Sequence, residues 1–227
     1  MPVVILAYPS LYKALMISIL MTPCFKTGEF QAQYETISKT IGCEFEVLCT
    51  LINGDPERDW FEAYFKANNI RYLKVPDLGY TTLINILAAR ALGDIMLYIA
   101  PSTIIDETEQ DWGLKVVAAL SDKDRICGAI LSLTHNDLYC SGLAIPQRTF
   151  VTLGYYCHPL FETQVYGVRW NASVLTEFKR LYNITCGFTY QNTSDTDMYK
   201  ADRLLFDITR AARINVASRL EQFMEVT

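Results

Sequence analysis

The chain has 227 residues, 51% of them hydrophobic and 20% charged, which is the composition of a globular protein with one large domain or two small ones. A net charge of −5 argues against a large nucleic-acid footprint, which needs clustered Lys and Arg, and leaves only a small contact open through Arg169, Lys179 and Arg180. The seven cysteines lack metal-ligand spacing, and no signal segment or membrane-spanning apolar run is visible, so a cytoplasmic protein is expected.

The first half of the chain alternates apolar strands with helical segments. Strands are predicted at residues 2–8, 45–52, 70–75 and 94–99. The helices between them are predicted at residues 11–21, 30–41, 58–68 and 81–92. Strands that alternate with helices of this length predict an α/β fold, a Rossmann-like and mostly parallel central sheet flanked by helices.

The pattern is less regular after residue 105. Helices are predicted at residues 111–120, 148–154, 172–181 and 199–224. Strands are predicted at residues 125–133 and 138–145, and the aromatic segment 155–170 is expected to be irregular. No linker composition marks a boundary, so residues 1–227 are predicted to form a single domain, with a nucleotide-binding half (1–105) and an acceptor half (106–227) that ends in helices.

The most specific pattern lies in residues 85–102. Asn85 opens a helix that ends at Gly93-Asp94, and an apolar strand then leads to Ala100-Pro101-Ser102. This order resembles the core of inverting, family-two-like GT-A glycosyltransferases, including rhamnosyltransferase-like members, in which the strand leads to a D-x-D metal motif. The resemblance implies a GT-A-like fold and a nucleotide-sugar donor as substrate. At the helix end, Gly93 is expected to permit a left-handed turn.

The metal motif of that family is absent from the expected position. Ala100 has no ligand atom and Ser102 offers only a neutral hydroxyl, whereas Mg²⁺ and Mn²⁺ prefer carboxylates. No divalent metal is therefore predicted at this position. A D-x-D does occur at Asp195 and Asp197, where capping of a helix that begins near Met198 is favoured over metal binding.

The resemblance also implies where a nucleotide would bind. It would lie over the ends of the first two strands, the Asn85 helix and the tip after the fourth strand. The implied contacts are Ala7, Tyr8, Pro9, Asn53, Asp55, Asn85, Ala100 and Ser102. Asn85 has a plain structural alternative, since it could simply start a helix.

The catalytic base of the family is replaced in this chain. The segment from Tyr166 to Trp170 falls where the family has "Y-G-E-D", and Arg169 in it stays protonated and cannot take a proton from a hydroxyl. Glu162 is the first candidate for a displaced base, and a solvated loop carboxylate is the alternative. Other candidates are Asp137, Asp195 and Asp197.

The remaining site residues are assigned to the acceptor and to the leaving group. His158, Glu162 and Trp170 are expected to face the acceptor. Arg90, Arg169 or His158 are expected to meet the negative charge of the leaving diphosphate. His158 could equally be a hydrogen-bonded loop histidine without a role in catalysis.

Two functions of different class are compatible with these features. The first is inverting sugar transfer to an unidentified acceptor, which could be a glycan, a small molecule or a modified nucleic acid. The second is a GT-A-fold binding or scaffolding protein that has lost its chemistry together with its metal and base carboxylates. The sequence gives no indication of oligomeric state.

Overall fold

The computed structural model describes residues 15–22, 27–100, 103–121, 126–132, 142–190 and 197–226. The strands are β1 Ile17–Met21, β2 Phe45–Ile52, β3 Arg71–Val75, β4 Ile95–Ile99, β5 Thr103–Ile105, β6 Gly128–Ser132, β7 Gly142–Pro146, β8 Leu181–Thr185 and β9 Phe188–Tyr190. The helices are α1 Thr27–Thr40, α2 Arg58–Ala67, α3 Tyr80–Ala88, α4 Trp112–Ala119, α5 Gln147–Leu153, α6 Gln164–Glu177, α7 Asp197–Ile208 and α8 Arg210–Val226.

Seven of the described strands form one sheet in the order β3-β2-β1-β4-β7-β6-β8, and β5 pairs with β9 in a small separate sheet. β1 is parallel to both β2 and β4, and β2 is parallel to β3. β7 runs antiparallel to its neighbours β4 and β6, whereas β6 and β8 are parallel. The predicted mostly parallel α/β sheet is therefore confirmed, and it continues through both halves of the chain as a single domain.

Helices cover both faces of the sheet. Phe30 of α1, Phe61 of α2 and Trp112 of α4 are fully buried on one face. Leu87 of α3 and Leu175 of α6 are fully buried on the other. Because successive side chains of a strand point to opposite faces, the central strands are apolar at almost every position. None of the described helices is both long and apolar enough to cross a membrane.

The central strand is not the one expected from the sequence. Residues 11–21 were expected to be a helix, but Ile17–Met21 is β1 and pairs with both β2 and β4. All five of its residues are buried, and a short run that is apolar on both sides does not distinguish a buried strand from a buried helix by its periodicity. The predicted strand at residues 2–8 lies outside the described residues.

Several other boundaries differ from the expectation. The 155–170 segment is helical from Gln164 onward, α6 ends at Glu177 and not at residue 181, and the strand β8, which was not predicted, begins at Leu181. The C-terminal segment forms two helices because α7 ends at Ile208 and α8 begins at Arg210. Side-chain contacts with other elements decide these boundaries, and such contacts are invisible in local periodicity.

Gly93 is required for a different reason from the one expected. The glycines with positive φ in the described part of the chain are Gly42, Gly54 and Gly154, so the predicted left-handed turn at Gly93 is wrong. A Cβ at Gly93 would lie 2.6 Å from the backbone nitrogen of Ser18 and 2.7 Å from the carbonyl oxygen of Met16. The absence of a side chain therefore allows the chain before β4 to pack directly against β1.

A partly buried polar network surrounds this contact. The Ser18 hydroxyl accepts a hydrogen bond from the Gly93 N–H (2.7 Å) and donates one to Glu46 (2.5 Å). Burial raises the pKa of Glu46, but hydrogen bonds from Ser18, the Leu92 N–H and Arg71 outweigh it and hold the pKa below its usual value. The starts of β1, β2, β3 and β4 are therefore fastened together.

We expect Gly93→Ala to lower the free energy of unfolding by about 1–3 kcal/mol, because the added methyl group would overlap backbone atoms of β1. Urea denaturation measures this loss. Gly28→Ala is the matched control, since no atom lies within 4 Å of its Cβ position in the first turn of α1. It should leave stability unchanged or raise it by up to about 1 kcal/mol. Equal stability of Gly93→Ala and wild type would contradict the packing described.

Candidate functional site

The carboxyl ends of four parallel strands meet at one edge of the sheet. β1 ends at Met21, β2 at Ile52, β3 at Val75 and β4 at Ile99. β2 and β3 lie on one side of β1 and β4 lies on the other, so the strand order reverses between β1 and β4. Open α/β sheets bind ligands outside the carboxyl ends of their strands at such a reversal. We call this edge the switch edge, and it is the candidate site.

The loop after β2 brings two predicted nucleotide contacts to the switch edge. The Asn53 N–H donates to the carbonyl oxygen of Val75 (2.8 Å), and the side chain of Asn53 is exposed. Asp55 is half-buried, and its carboxylate accepts the N–H of Glu57 (2.8 Å). Gly54 between them has a φ of +94°, which favours glycine. Nucleotide binding by Asn53 and Asp55 stays a prediction.

Two charged residues that follow this loop were not singled out from the sequence. The carboxylate of Glu57 accepts the N–H of Thr27 (3.0 Å) at the positive end of α1. Arg58 is half-buried, and its Nε is buried without a hydrogen-bond partner among the described residues. Their place directly after the Asn-Gly-Asp-Pro turn is the only sequence signal that could have indicated them.

The chain after β4 has no metal ligand at Ala100. This residue is 2% exposed and packs in the core. Its carbonyl oxygen accepts the Thr103 N–H (3.0 Å) and the amide nitrogen of Gln33 (3.3 Å), which also donates to the carbonyl oxygen of Thr103 (2.8 Å). Within the described ranges, no group of three His, Cys, Asp or Glu side chains is arranged to hold a metal ion.

Asn85 is the sixth residue of α3, so the expectation that it starts a helix is wrong, and its side chain is engaged in a backbone clamp. Its amide oxygen accepts the N–H groups of Tyr156 and Cys157 (both 2.8 Å), and its amide nitrogen donates to the carbonyl oxygen of Cys157 (2.7 Å). The buried Asn171 of α6 donates to the carbonyl oxygen of Tyr156 (2.7 Å). α3 and α6 thus hold the same segment from two sides. The predicted contact between Asn85 and a nucleotide stays a prediction.

The first turn of α6 lies beside the first turn of α3. A Cβ at Gly167 would be 2.9 Å from the methyl group of Thr81, the second residue of α3. α3 begins just after the carboxyl end of β3, which belongs to the switch edge. The start of α6, beside the start of α3, is therefore at the switch-edge end of the sheet. The exposed Glu162 directly precedes Thr163, the N-cap residue of α6. Its proposed role as base stays a prediction.

A buried carboxylate that sequence reasoning missed fixes this helix start. Asp202 of α7 is 4% exposed and accepts the N–H (2.7 Å) and the hydroxyl (2.6 Å) of Thr163, with a longer bond from the Glu162 N–H (3.4 Å). The negative charge lies where the helix dipole is positive. A carboxylate supplied by another helix leaves no short-range motif, so local sequence could not reveal it.

The segment from Tyr166 to Trp170 lies within α6 and not in a loop. The guanidinium carbon of Arg169 is 5.0 Å from the ring centre of Phe206 and 5.7 Å from that of Tyr166. Trp170 is 3% exposed, so its ring offers almost no surface to an acceptor. The roles predicted for Arg169 and Trp170 stay predictions.

Arg90 lies at the opposite end of the sheet from the switch edge. Its carbonyl oxygen accepts a bond from Arg71, the first residue of β3 (3.1 Å). We therefore assign Arg90 no contact with a diphosphate.

His158 is surrounded by aromatic rings. The centre of its ring lies 4.2 Å from that of Trp170, 4.8 Å from that of Tyr155 and 5.7 Å from that of Phe161. Its Nδ1 accepts the N–H of Leu160 (3.2 Å). Burial lowers the pKa of His158, so the ring is neutral near pH 7.

Some predicted residues cannot be placed. Ala7, Tyr8, Pro9, Ser102, Asp137 and Asp195 lie outside the described residues, and their roles stay predictions. α7 begins at Asp197, so the helix start expected near Met198 is confirmed.

We expect Asp202→Ala to lower the free energy of unfolding by about 2–3 kcal/mol, because it removes a cap and leaves buried donors without an acceptor. Thermal and urea denaturation measure the loss. Asp207→Ala, an exposed position on the same helix, should change stability by no more than about 0.5 kcal/mol. Equal losses for the two variants would contradict the cap.

No family model and no curated protein sequence matches this chain. Solved structures do match it in fold. Glucosyl-3-phosphoglycerate synthase from Mycobacterium tuberculosis, in complex with Mn²⁺, UDP and glucosyl-3-phosphoglycerate, matches with a TM-score of 0.63 at 11% identity, over 86% of this chain and 80% of that one. The mannosyltransferase PcManGT from Pyrobaculum calidifontis, in complex with GDP-Man and Mn²⁺, gives 0.61 at 9% identity, over 95% and 76%. S. aureus TarS 1–349, in complex with UDP-GlcNAc, gives 0.60 at 10% identity, over 91% and 71%. These similarities show that the chain has the GT-A fold, as the sequence resemblance implied.

Proposed function

We propose that this chain is a glycosyltransferase that moves a sugar from a nucleotide-sugar donor to an acceptor hydroxyl, with inversion at the anomeric carbon. The observation that supports this proposal is the switch edge, where the strand order reverses between β1 and β4, in a fold whose solved examples include complexes with UDP, UDP-GlcNAc and GDP-Man. The acceptor is a glycan, a small molecule or a modified nucleic acid.

The donor nucleotide would bind across the ends of β1, β2 and β4. Asn53 and Asp55 are proposed to hydrogen-bond the base or ribose, because both lie directly after β2 and carry polar side chains at the edge. Tyr8, Pro9, Asn85, Ala100 and Ser102 remain the other proposed contacts. Ala100 is 2% exposed and its carbonyl oxygen already accepts two hydrogen bonds, so its contact would need the tip to move.

A divalent metal does not fit the position of the family's D-x-D. Ala100 has no side-chain oxygen, and its carbonyl oxygen already accepts two hydrogen bonds. We therefore propose catalysis without a metal at this place. Arg58 is our first candidate for meeting the charge of the leaving diphosphate, because it lies at the switch edge and its Nε has no partner among the described residues. Arg169 is the second candidate.

Glu162 is proposed as the general base. It is an exposed carboxylate at the start of α6, on the switch-edge side of the sheet. It would take the proton of the acceptor hydroxyl while that oxygen bonds to the anomeric carbon and the bond from carbon to diphosphate oxygen breaks, with the electron pair leaving on the diphosphate. Attack opposite the leaving group inverts the configuration.

The rival function is binding without chemistry, as in a scaffold protein that retained the fold. The observation that favours it is the replacement of both a metal ligand and a base carboxylate, by Ala100 and Arg169. Donor binding without donor hydrolysis or transfer would identify this case.

We expect one of a panel of UDP-, GDP-, dTDP- and CDP-sugars to raise the melting temperature, since a ligand at a hundred times its Kd adds about 2.7 kcal/mol of stability. Asp55→Asn should raise the Kd of the nucleotide-sugar that binds by about tenfold, because a hydrogen bond to a charged group is replaced by one to a neutral group. Glu44→Gln, at the opposite end of β2, is the control and should bind like wild type. No shift with any donor, or equal losses for both variants, would contradict a donor site at the switch edge.

With an active donor, Glu162→Gln should lower transfer or donor hydrolysis by about 10²–10⁴-fold, the usual contribution of a general base. Glu177→Gln, at the other end of α6, should leave the rate unchanged. EDTA should also leave it unchanged, because no metal is used at the Ala100 position. Strict dependence on Mn²⁺ or Mg²⁺ would refute the metal-free mechanism, and full activity of Glu162→Gln would refute the base.

A further inference from the structure

His158 has one nitrogen committed to the protein backbone and one that is not. Nδ1 accepts the N–H of Leu160 (3.2 Å), two residues later in the same turn. The turn itself is fixed, because the His158 N–H donates to the carbonyl oxygen of Gly167 (3.1 Å) and the Phe161 N–H donates to the carbonyl oxygen of His158 (3.2 Å). Within the described ranges no acceptor is found for Nε2.

This arrangement determines which nitrogen carries the proton. A neutral imidazole has one N–H donor and one lone-pair acceptor, and the hydrogen bond at one nitrogen sets the other. Because the Leu160 N–H needs a lone pair at Nδ1, the proton of the neutral ring resides on Nε2. A general base must present a lone pair to the substrate, whereas Nε2 presents an N–H.

The surroundings of the ring keep it neutral and indicate the kind of oxygen it would bind. Tyr155, Phe161 and Trp170 pack around it, and burial lowers the pKa of His158. The charged groups on the neighbouring elements are the carboxylates of Glu162 and Asp202 at the start of α6, and the cations of Arg213, against Trp170, and Arg169, against Phe206. A neutral donor among aromatic rings suits an uncharged oxygen better than a phosphate, because it brings no positive charge to pair with one.

We propose that His158 binds a hydroxyl oxygen of the acceptor as a fixed Nε2–H hydrogen-bond donor and does not remove the acceptor's proton. The identity of the bound oxygen rests on the proposed transferase function, whereas the position of the proton does not. The acceptor would therefore be a polyhydroxylated, uncharged group such as a saccharide ring at this subsite. Proton removal would be left to Glu162.

The position of the proton is tested by ¹⁵N NMR of the imidazole nitrogens. The chain has only two histidines, His135 and His158, so His135→Gln leaves the signals of one ring. We expect the Nε2–H tautomer at pH 7.5, with protonation only below about pH 6.5, the usual pKa of histidine. A ring protonated at Nδ1 would overturn the proposal even for a chain that shows no turnover, and an Nε2–H tautomer supports it whether or not a donor is known.

Kinetics separate a donor from a base once a donor and an acceptor are known. Loss of a neutral hydrogen bond in His158→Ala should lower kcat/KM for the acceptor about three- to tenfold. His158→Gln, whose amide N–H can take the place of Nε2–H, should recover most of that loss. A fall of about 10²–10⁴-fold in both variants, or an acid limb of the pH profile that disappears in His158→Gln, would identify a base and overturn the proposal.

Discussion

The contact between Gly93 and β1 is the constraint on which the rest of the structure depends. It allows the chain entering β4 to pack against the backbone of Ser18, so that β4 lies on one side of β1 while β2 lies on the other. Ser18 and Glu46 then join the starts of these strands with hydrogen bonds that are buried or partly buried. Buried polar groups are stable only when they are paired, and this network satisfies its members at the edge opposite the switch edge. These hydrogen bonds thus fix the end of the sheet where the strands start, and loops form the switch edge at the other end.

Polar side chains from separate elements hold the loops that face the switch edge. Asn85 and Asn171 clamp the segment before His158 from α3 and α6, and Asp202 holds the start of α6 from α7. The hydroxyl of Tyr156 adds hydrogen bonds to the backbones of β4 and β7. These side chains supply hydrogen bonds to the backbone of the loops and of the neighbouring strands, and so they fix the positions of the loops. Preorganisation of this kind is what a site needs to hold substrate groups in place.

The sequence predicted the front half of the fold well because β2, α2 and β4 are punctuated by turn residues and differ in periodicity. It failed at β1, since a strand buried on both faces has the same apolar run as a buried helix. It also failed at Gly93, because a close approach between distant residues leaves no local signal. For the site, the position of Asn53 and Asp55 at the edge followed from strand order alone. Asp202 could not have been found this way, because its partners lie about 40 residues away.

The replacement of a metal motif by Ala100 changes how a transfer reaction would have to be organised. In this chain the residue is packed into the core, and Gln33 holds the backbone on both sides of the tip. A bound ion is a concentrated charge that can follow its ligands, whereas a cation such as Arg58 can meet developing charge only from where the protein holds it. Fixed donors stabilise developing charge without reorganising during the reaction, but only where they already point at it. Hydrogen bonds fix the turn of His158 and the helix start beside Glu162, so they would hold the proposed acceptor donor and base in place, and rigidity of these loops, not a metal, would have to supply the geometry of the reaction.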